Sequence, residues 1–213
     1  RMEPGNIEVI EEVKVINAEK DDEKNIIPGD RSSQPVQDEM FDQLRQLVMA
    51  KKNIFLTGPG GVGKSYYIHR LRKEMQPLKI VLTSTTGVSS FNLGAQTIHS
   101  FSGIGAMKKN DSFEKIMKKI RKTNPDLSKT NVNSCDVLVI DEISMLGKSY
   151  LEMLDKVFRK LKRNEHTVFG GLQVIFTGDF LQLPPIEDEF CFHSHVWKEL
   201  NMNTVYLTKM YRV

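Results

Sequence analysis

Cysteine is scarce in this chain, with only Cys135 and Cys191 among 213 residues. Two thiols are too few for a disulfide framework, so a reducing, intracellular compartment is expected; in a eukaryote that means the nucleus, the mitochondrion or a virus-infected cell. Long apolar runs are missing as well. Segments such as VLVI (137–140) fall far below the ~18 residues a membrane span needs, so no membrane partner is expected. The N-terminus is acidic and carries no apolar stretch of the secretory kind. The chain begins at Arg1 instead of Met, which suggests a fragment of something longer. No internal repeat is visible.

The net charge of +3 hides an asymmetry. Acidic side chains outnumber basic ones in residues 1–40, so the remainder is more basic than the whole. A basic body favours polyanionic partners, although charge excess alone is a weak indicator. Residues 1–36 mix short apolar patches with charges and turn formers and are read as an acidic flexible leader; a strand in IEVIEEVKVI is the alternative. From residue 37 to 213 the pattern is that of one folded domain. Phe41, Leu44, Leu47 and Val48 recur at helical spacing. NIFLTG reads as a strand entering a glycine-rich loop, and SYYIHRLRKEM as the helix after it. KIVLTST, CDVLVIDE, GLQVIFTGD and TVYLT are further short strands, and Leu151, Leu154, Val157, Phe158 and Leu161 mark a helix between two of them. Strands alternating with helices imply an α/β fold, a parallel sheet with helices on both faces.

The loop itself is GPGGVGKS, residues 58–65, which fits G-x-x-x-x-G-K-[ST] in the strand–loop–helix setting that motif requires. Gly58, Gly60, Gly61 and Gly63 let backbone N–H groups approach a phosphate closely, because none carries a Cβ. Pro59, Val62 and Tyr66 complete the nucleotide-binding stretch. Lys64 would reach the β- and γ-phosphates, and Ser65 would hold Mg²⁺. Asp141 ends the buried strand VLVI, at the strand end where open α/β sheets bind ligands, and is read as the second Mg²⁺ ligand. Glu142, beside it, is the natural general base for an attacking water. Asp179 and Gln182 follow another strand, in GDFLQLPP, and Gln182 could hydrogen-bond the water or the γ-phosphate. Together these features predict a hydrolase of the P-loop NTPase class that uses Mg²⁺.

GPGGVGKS, TSTTGVSSFNLGAQTIHSFSGIG, VLVIDEISML and FGGLQVIFTGDFLQLPP, in that order and spacing, resemble the petite-integration-frequency (Pif) helicases of the RecD-like branch of superfamily 1. The resemblance covers roughly residues 37–213. It implies the first RecA-like motor domain of an ATP-dependent 5′–3′ DNA helicase, with the second half absent, acting on single-stranded or forked DNA in repair, recombination, replication or telomere maintenance. It also implies that Thr85, Gly87, Thr97, His99 and Phe101 line the single-strand path. For Phe101 the alternative is core packing, and for His99 a hydrogen bond inside its loop. Arg212, in LTKMYR, is assigned by resemblance to the γ-phosphate, although Val213 stands where the family carries Gln. Gln37 is preferred over Gln43 as the adenine-reading glutamine. In isolation the chain is expected to be a monomer that unwinds poorly. The rival readings are a P-loop ATPase that loads or remodels protein and a silent ATP- or DNA-binding module.

Two further features are set aside on residue chemistry. Residues 107–131 hold 8 Lys/Arg against 3 Asp/Glu, and are read as a solvated amphipathic helix with Phe113, Ile116, Met117 and Ile120 inward, in preference to a DNA-backbone patch. Cys191, His193 and His195 lack a fourth ligand for zinc, and FHSHVWKEL is read as leading into a helix anchored by Trp197.

Overall fold

A parallel strand needs both of its faces covered, and the short apolar segments of this chain are buried on both. The computed structural model describes residues 38–108 and 111–208; the expected leader, Gln37 and Arg212 lie outside the described residues. Six strands form one sheet: β1 (Ile54–Thr57), β2 (Ile80–Ser84), β3 (Gln96–Thr97), β4 (Val137–Asp141), β5 (Gln173–Gly178) and β6 (Asn203–Tyr206). Their spatial order is β3-β2-β4-β5-β1-β6, and every pairing is parallel. The expected parallel α/β sheet is therefore what forms. β3 has two residues, too few for any periodicity to reveal it.

Seven helices accompany the strands among the described residues: α1 (Glu39–Met49), α2 (Lys64–Glu74), α3 (Gly87–Asn92), α4 (Ile98–Ser102), α5 (Phe113–Thr123), α6 (Lys148–Leu161) and α7 (His195–Leu200). Alternation along β4 divides the core in two. Val137 and Val139 face Phe41 and Leu44 of α1 and Tyr67 and Leu71 of α2. Leu138 and Ile140 face Ile116 and Ile120 of α5 and Leu151, Leu154 and Phe158 of α6. Each such side chain contributes about 1.5–3 kcal/mol by leaving water. α5 carries its basic residues outward and buries Ile116, Met117 and Ile120, as the amphipathic reading requires. Trp197 of α7 lies against Phe55, Phe176 and Phe180, with ring centroids 5.5, 5.5 and 5.7 Å away. Cys191 is buried while His193 and His195 are exposed, so the three do not gather round a common point. Burial pushes both thiols up to about 12.

Two polar contacts hold helices that apolar packing alone would leave loosely registered. Asp38 caps α1 by accepting from the Phe41 amide (3.2 Å) and also accepts from Tyr67 (3.2 Å) and Arg70 (2.8 Å) of α2. The Arg70 guanidinium lies 3.8 Å from the centre of the Phe41 ring, which adds a cation–π attraction. On the other side of the sheet Asp155 is only 4% exposed. It accepts two bonds from Arg159 Nε (2.9 and 2.8 Å) and one from the Phe169 amide (2.7 Å). Phe169 has φ 53°, a left-handed conformation unusual for an aromatic residue, and the Asp155 bond fixes that turn. No helix among the described residues is long and apolar enough to cross a membrane.

Removing Asp155 strips Arg159 Nε and the buried Phe169 amide of their acceptor, while Arg159 keeps its bond to Glu199 Oε1 (2.7 Å). Asp155→Ala is therefore expected to cost about 1–3 kcal/mol of unfolding free energy, read as a lowered urea midpoint with an unchanged slope.

Candidate active site

The sheet brings the carboxyl ends of β1, β4 and β5 to one rim, with β5 between the other two. Ile140 of β4 and Phe55 of β1 are both level with Phe176 of β5. The loop after β1 and the acidic end of β4 consequently lie at the same height. Thr57 Oγ1 donates to the Gly178 carbonyl (2.8 Å) and so ties the start of the glycine loop to the end of β5. On the opposite edge the Leu207 amide donates to the Thr57 carbonyl (2.8 Å).

A cavity of about 260 Å³ opens at this rim, lined by Lys64, Ser65, Ser89, Asn92, Leu93, Asp141, Glu142, Gly178 and Gln182. Lys64, Asp141 and Gln182, distant in the chain, thus converge on one pocket. Gly63 caps α2 at φ 88°, and Gly58 has φ 144° with the space a Cβ would need taken by the Leu207 carbonyl oxygen. Val62 is buried in the core, so any contact it offers the loop's ligand comes from its backbone. Tyr66 is 60% exposed and does not line the cavity.

Lys64 Nζ donates to the carbonyls of Gly58 (2.6 Å) and Pro59 (2.9 Å). Burial lowers its pKa, and the nearby Asp179 and Asp141 carboxylates oppose that shift. Burial raises the Asp141 pKa; the Glu142 amide and Lys64 pull it down, while the Glu142 charge adds to the rise. Thr177 Oγ1, buried on β5, has no hydrogen-bond partner among the described residues. Its proximity also lowers the Asp141 pKa. No cluster of three His, Cys, Asp or Glu side chains suited to a metal occurs among the described residues. Ser65 and Asp141 nevertheless place hard oxygen donors on one cavity wall. That sparse donor set fits Mg²⁺, which keeps several waters and takes its other ligands from phosphate oxygens.

Glu142 stands at φ 54°, a strained conformation that costs a side-chain-bearing residue about 1–3 kcal/mol. Three hydrogen bonds from the neighbouring strand end offset it. The Thr85 amide donates to the Asp141 carbonyl (3.2 Å), the Thr85 hydroxyl to the Glu142 carbonyl (3.0 Å), and the Thr86 hydroxyl to Glu142 Oε2 (3.0 Å). Gln182 sits on an exposed loop whose first turn is closed by its own amide donating to Asp179 O (3.0 Å) and by Leu181 N donating to Asp179 Oδ1 (3.0 Å). The loop is anchored by Phe180, whose ring lies 4.9 Å from that of Phe192 and 5.4 Å from that of Phe55.

The residues assigned to a single-strand path fare unevenly. Gly87 is exposed with open space around it. Thr97 is half-buried and caps α4 by accepting from the Ser100 amide (3.2 Å). His99 is half-buried, its pKa lowered by burial, with its ring 4.6 Å from that of Tyr150. Thr85 is buried, and its hydroxyl donates to the Glu142 carbonyl. Phe101 is corrected outright. At 3% exposure, edge-on to Phe158, it is core and offers no stacking face. Sequence reasoning passes over Thr86, Ser89 and Asn92; Thr86 begins the TGV triplet, which was the available signal.

Residues 34–213 match the PIF1-like helicase family. The chain is 40% identical over 170 residues to the ATP-dependent DNA helicase PIF1 of Saccharomyces cerevisiae strain YJM789, a span covering 75% of this chain and 19% of that protein. It is 34% identical over 186 residues to the human ATP-dependent DNA helicase PIF1, covering 85% and 28% respectively. Its fold is similar to the crystal structure of Pif1 helicase from Candida albicans, with TM-score 0.71, 32% identity and coverage of 84% of this chain and 41% of that one. It is also similar to a Bacteroides Pif1 in complex with ADP-AlF3 and single-stranded DNA, with TM-score 0.65, 26% identity and coverage of 84% and 43%. The chain thus spans only about a fifth to under a third of the curated relatives.

Adding a Cβ at Gly58 would drive the loop against Leu207. Gly58→Ala is expected to weaken nucleotide binding by at least about tenfold, since a displaced loop loses several amide contacts at once, as read by titration with a fluorescent ATP analogue. For Asp141 the raised folded pKa means that ionisation costs folding free energy. Stability from this group is full below the ordinary aspartate value and is lost as pH rises through the raised one. Asp141→Asn is therefore expected to raise the melting temperature of the nucleotide-free protein at pH 7–8, with the gain shrinking as pH falls toward about 4.

Proposed function

We propose that this chain, which belongs to the PIF1-like helicase family, is the first motor half of an ATP-dependent 5′–3′ DNA helicase that translocates on single-stranded DNA. One observation carries the reading: Lys64, Asp141, Glu142 and Gln182 share a single cavity beside the turn at Thr85–Gly87. In the proposed cycle the loop amides of residues 60–63 and the α2 N-terminus hold the β- and γ-phosphates. The Lys64 ammonium, already partly desolvated, interacts more strongly with phosphate than it would in water. Ser65 and Asp141 would hold Mg²⁺, which neutralises charge across the β- and γ-oxygens when bound. Glu142 accepts the proton of the attacking water through Oε1, the carboxylate oxygen that Thr86 leaves free. The Gln182 amide orients that water or holds a γ-phosphate oxygen, so its loop senses whether the phosphate is still attached.

For the DNA, the proposed path runs over Gly87, Thr97 and His99, close to the nucleotide pocket. The relatives' names support a DNA motor: among the solved neighbours are Pif1 helicases bound to single-stranded DNA and at forked double-stranded DNA. A role in repair, recombination, replication or telomere upkeep belongs to the same proposal, as does a reducing compartment that contains DNA.

The test is ATPase turnover in the full-length polypeptide with and without single-stranded DNA. Stimulation by DNA is expected. Glu142→Gln should bind ATP within a few-fold of the unmodified protein and lose about 10²–10⁴-fold in turnover, the usual worth of a general base. Turnover indifferent to DNA would overturn the motor reading and favour an ATPase acting on protein.

A further inference from the structure

We propose that Thr86 is a positioning residue for Glu142, fixing the carboxylate that takes the proton from water. The inference rests on the reading of Glu142 as general base. Thr86 is the only residue among those described that hydrogen-bonds the Glu142 carboxylate; its hydroxyl donates to Oε2 at 3.0 Å. Thr86 Oγ1 itself accepts from the Ser89 amide at 3.2 Å. A hydroxyl has one proton and two lone pairs, so accepting from Ser89 leaves the proton available to Glu142. The Ser89 bond holds the hydroxyl oxygen in place while it donates to Glu142.

Position matters because Glu142 is held by little else. Its backbone is left-handed, φ 54°, and no helix or ladder constrains its χ angles. The Thr85 bonds fix only the main chain of Asp141 and Glu142. Without Thr86 the carboxylate would sweep among rotamers, most of them unable to reach a water at the γ-phosphate. One oxygen tethered and one open is what a base needs: the tether sets the direction while Oε1 keeps a lone pair for the incoming proton. Thr86 lies between Thr85 and Gly87, so displacement of that turn by a bound strand moves the tether as well. The hydroxyl thereby links the proposed DNA path to the hydrolytic group by a single side-chain hydrogen bond.

The experiment compares DNA-stimulated ATPase turnover and ATP affinity for Thr86→Val, Thr86→Ser and each combined with Glu142→Gln, all in the full-length polypeptide. Thr86→Val, which keeps the shape and removes the hydroxyl, is expected to lower kcat about tenfold to a hundredfold, as a misplaced catalytic group does. ATP affinity should stay within about twofold, because Thr86 does not line the cavity. Thr86→Ser restores the hydroxyl and should recover kcat to within about threefold of the unmodified protein. In the Glu142→Gln background Thr86→Val should add less than about twofold further loss, since paired groups are non-additive. A general loss of folding would instead lower ATP affinity and multiply the two losses, which would overturn the proposal. Thr86→Val with unchanged or increased kcat, while Glu142→Gln is inactive, would overturn the positioning role and leave the base assignment standing. Full activity in Glu142→Gln would remove the base itself, and the proposal with it.

Discussion

Everything at this site depends on parallel pairing of β4, β5 and β1 in one register. Parallel strands end on the same side, and level pairing of Ile140 and Phe55 with Phe176 sets the end of β4 opposite the start of the glycine loop. A slip of one residue on β4 would turn Leu138 and Ile140 out of their core and Asp141 away from the cavity together. The two apolar layers resist that slip, so core packing and site geometry are one constraint seen from two ends. The hydrogen bond from Thr57 to Gly178 then locks the loop to the strand between.

The pocket is electrostatically costly to the fold. Burial disfavours the charged forms of both Lys64 and Asp141, and they offset one another only in part. Glu142 adds backbone strain and a second negative charge beside the first. Such local cost is tolerable because the rest of the sheet is conventional: both faces covered, aromatic rings packed edge to face around Phe180 and Trp197, and helices tied by Asp38 and Asp155. A nucleotide's phosphates and a divalent cation are the groups that would relieve these tensions, which couples binding to stability in the same residues.

Much of this was legible from residue order alone. The glycine loop between a strand and a helix, the carboxylates after VLVI and the amide after GDF each carry a local signature that follows from phosphate and metal chemistry. α1, α5 and α6 announced their inward faces by spacing. Other parts were hidden for physical reasons. β3 is too short for a period, and α3 and α4 are single-turn elements whose caps, Thr86 and Thr97, read in sequence as loop. Asp155 sits at a position that looks like any helical charge, and only its partner Phe169, fourteen residues on, reveals that it is buried. Phe101 fitted a stacking face as well as a core, because spacing does not say which side of a helix meets the sheet.

The sequence by itself determined the chemistry: which side chains can hold phosphate, metal and proton, and that they stand at strand ends. It did so because those demands fall on single residues and their immediate neighbours. Tertiary structure alone decided the distances between them. It brought Gln182 within reach of the glycine loop, bent Thr85 and Thr86 onto Glu142, and drew Phe101 into the core. Those outcomes depend on strand order and on the packing of residues more than fifty positions apart, which no local pattern encodes.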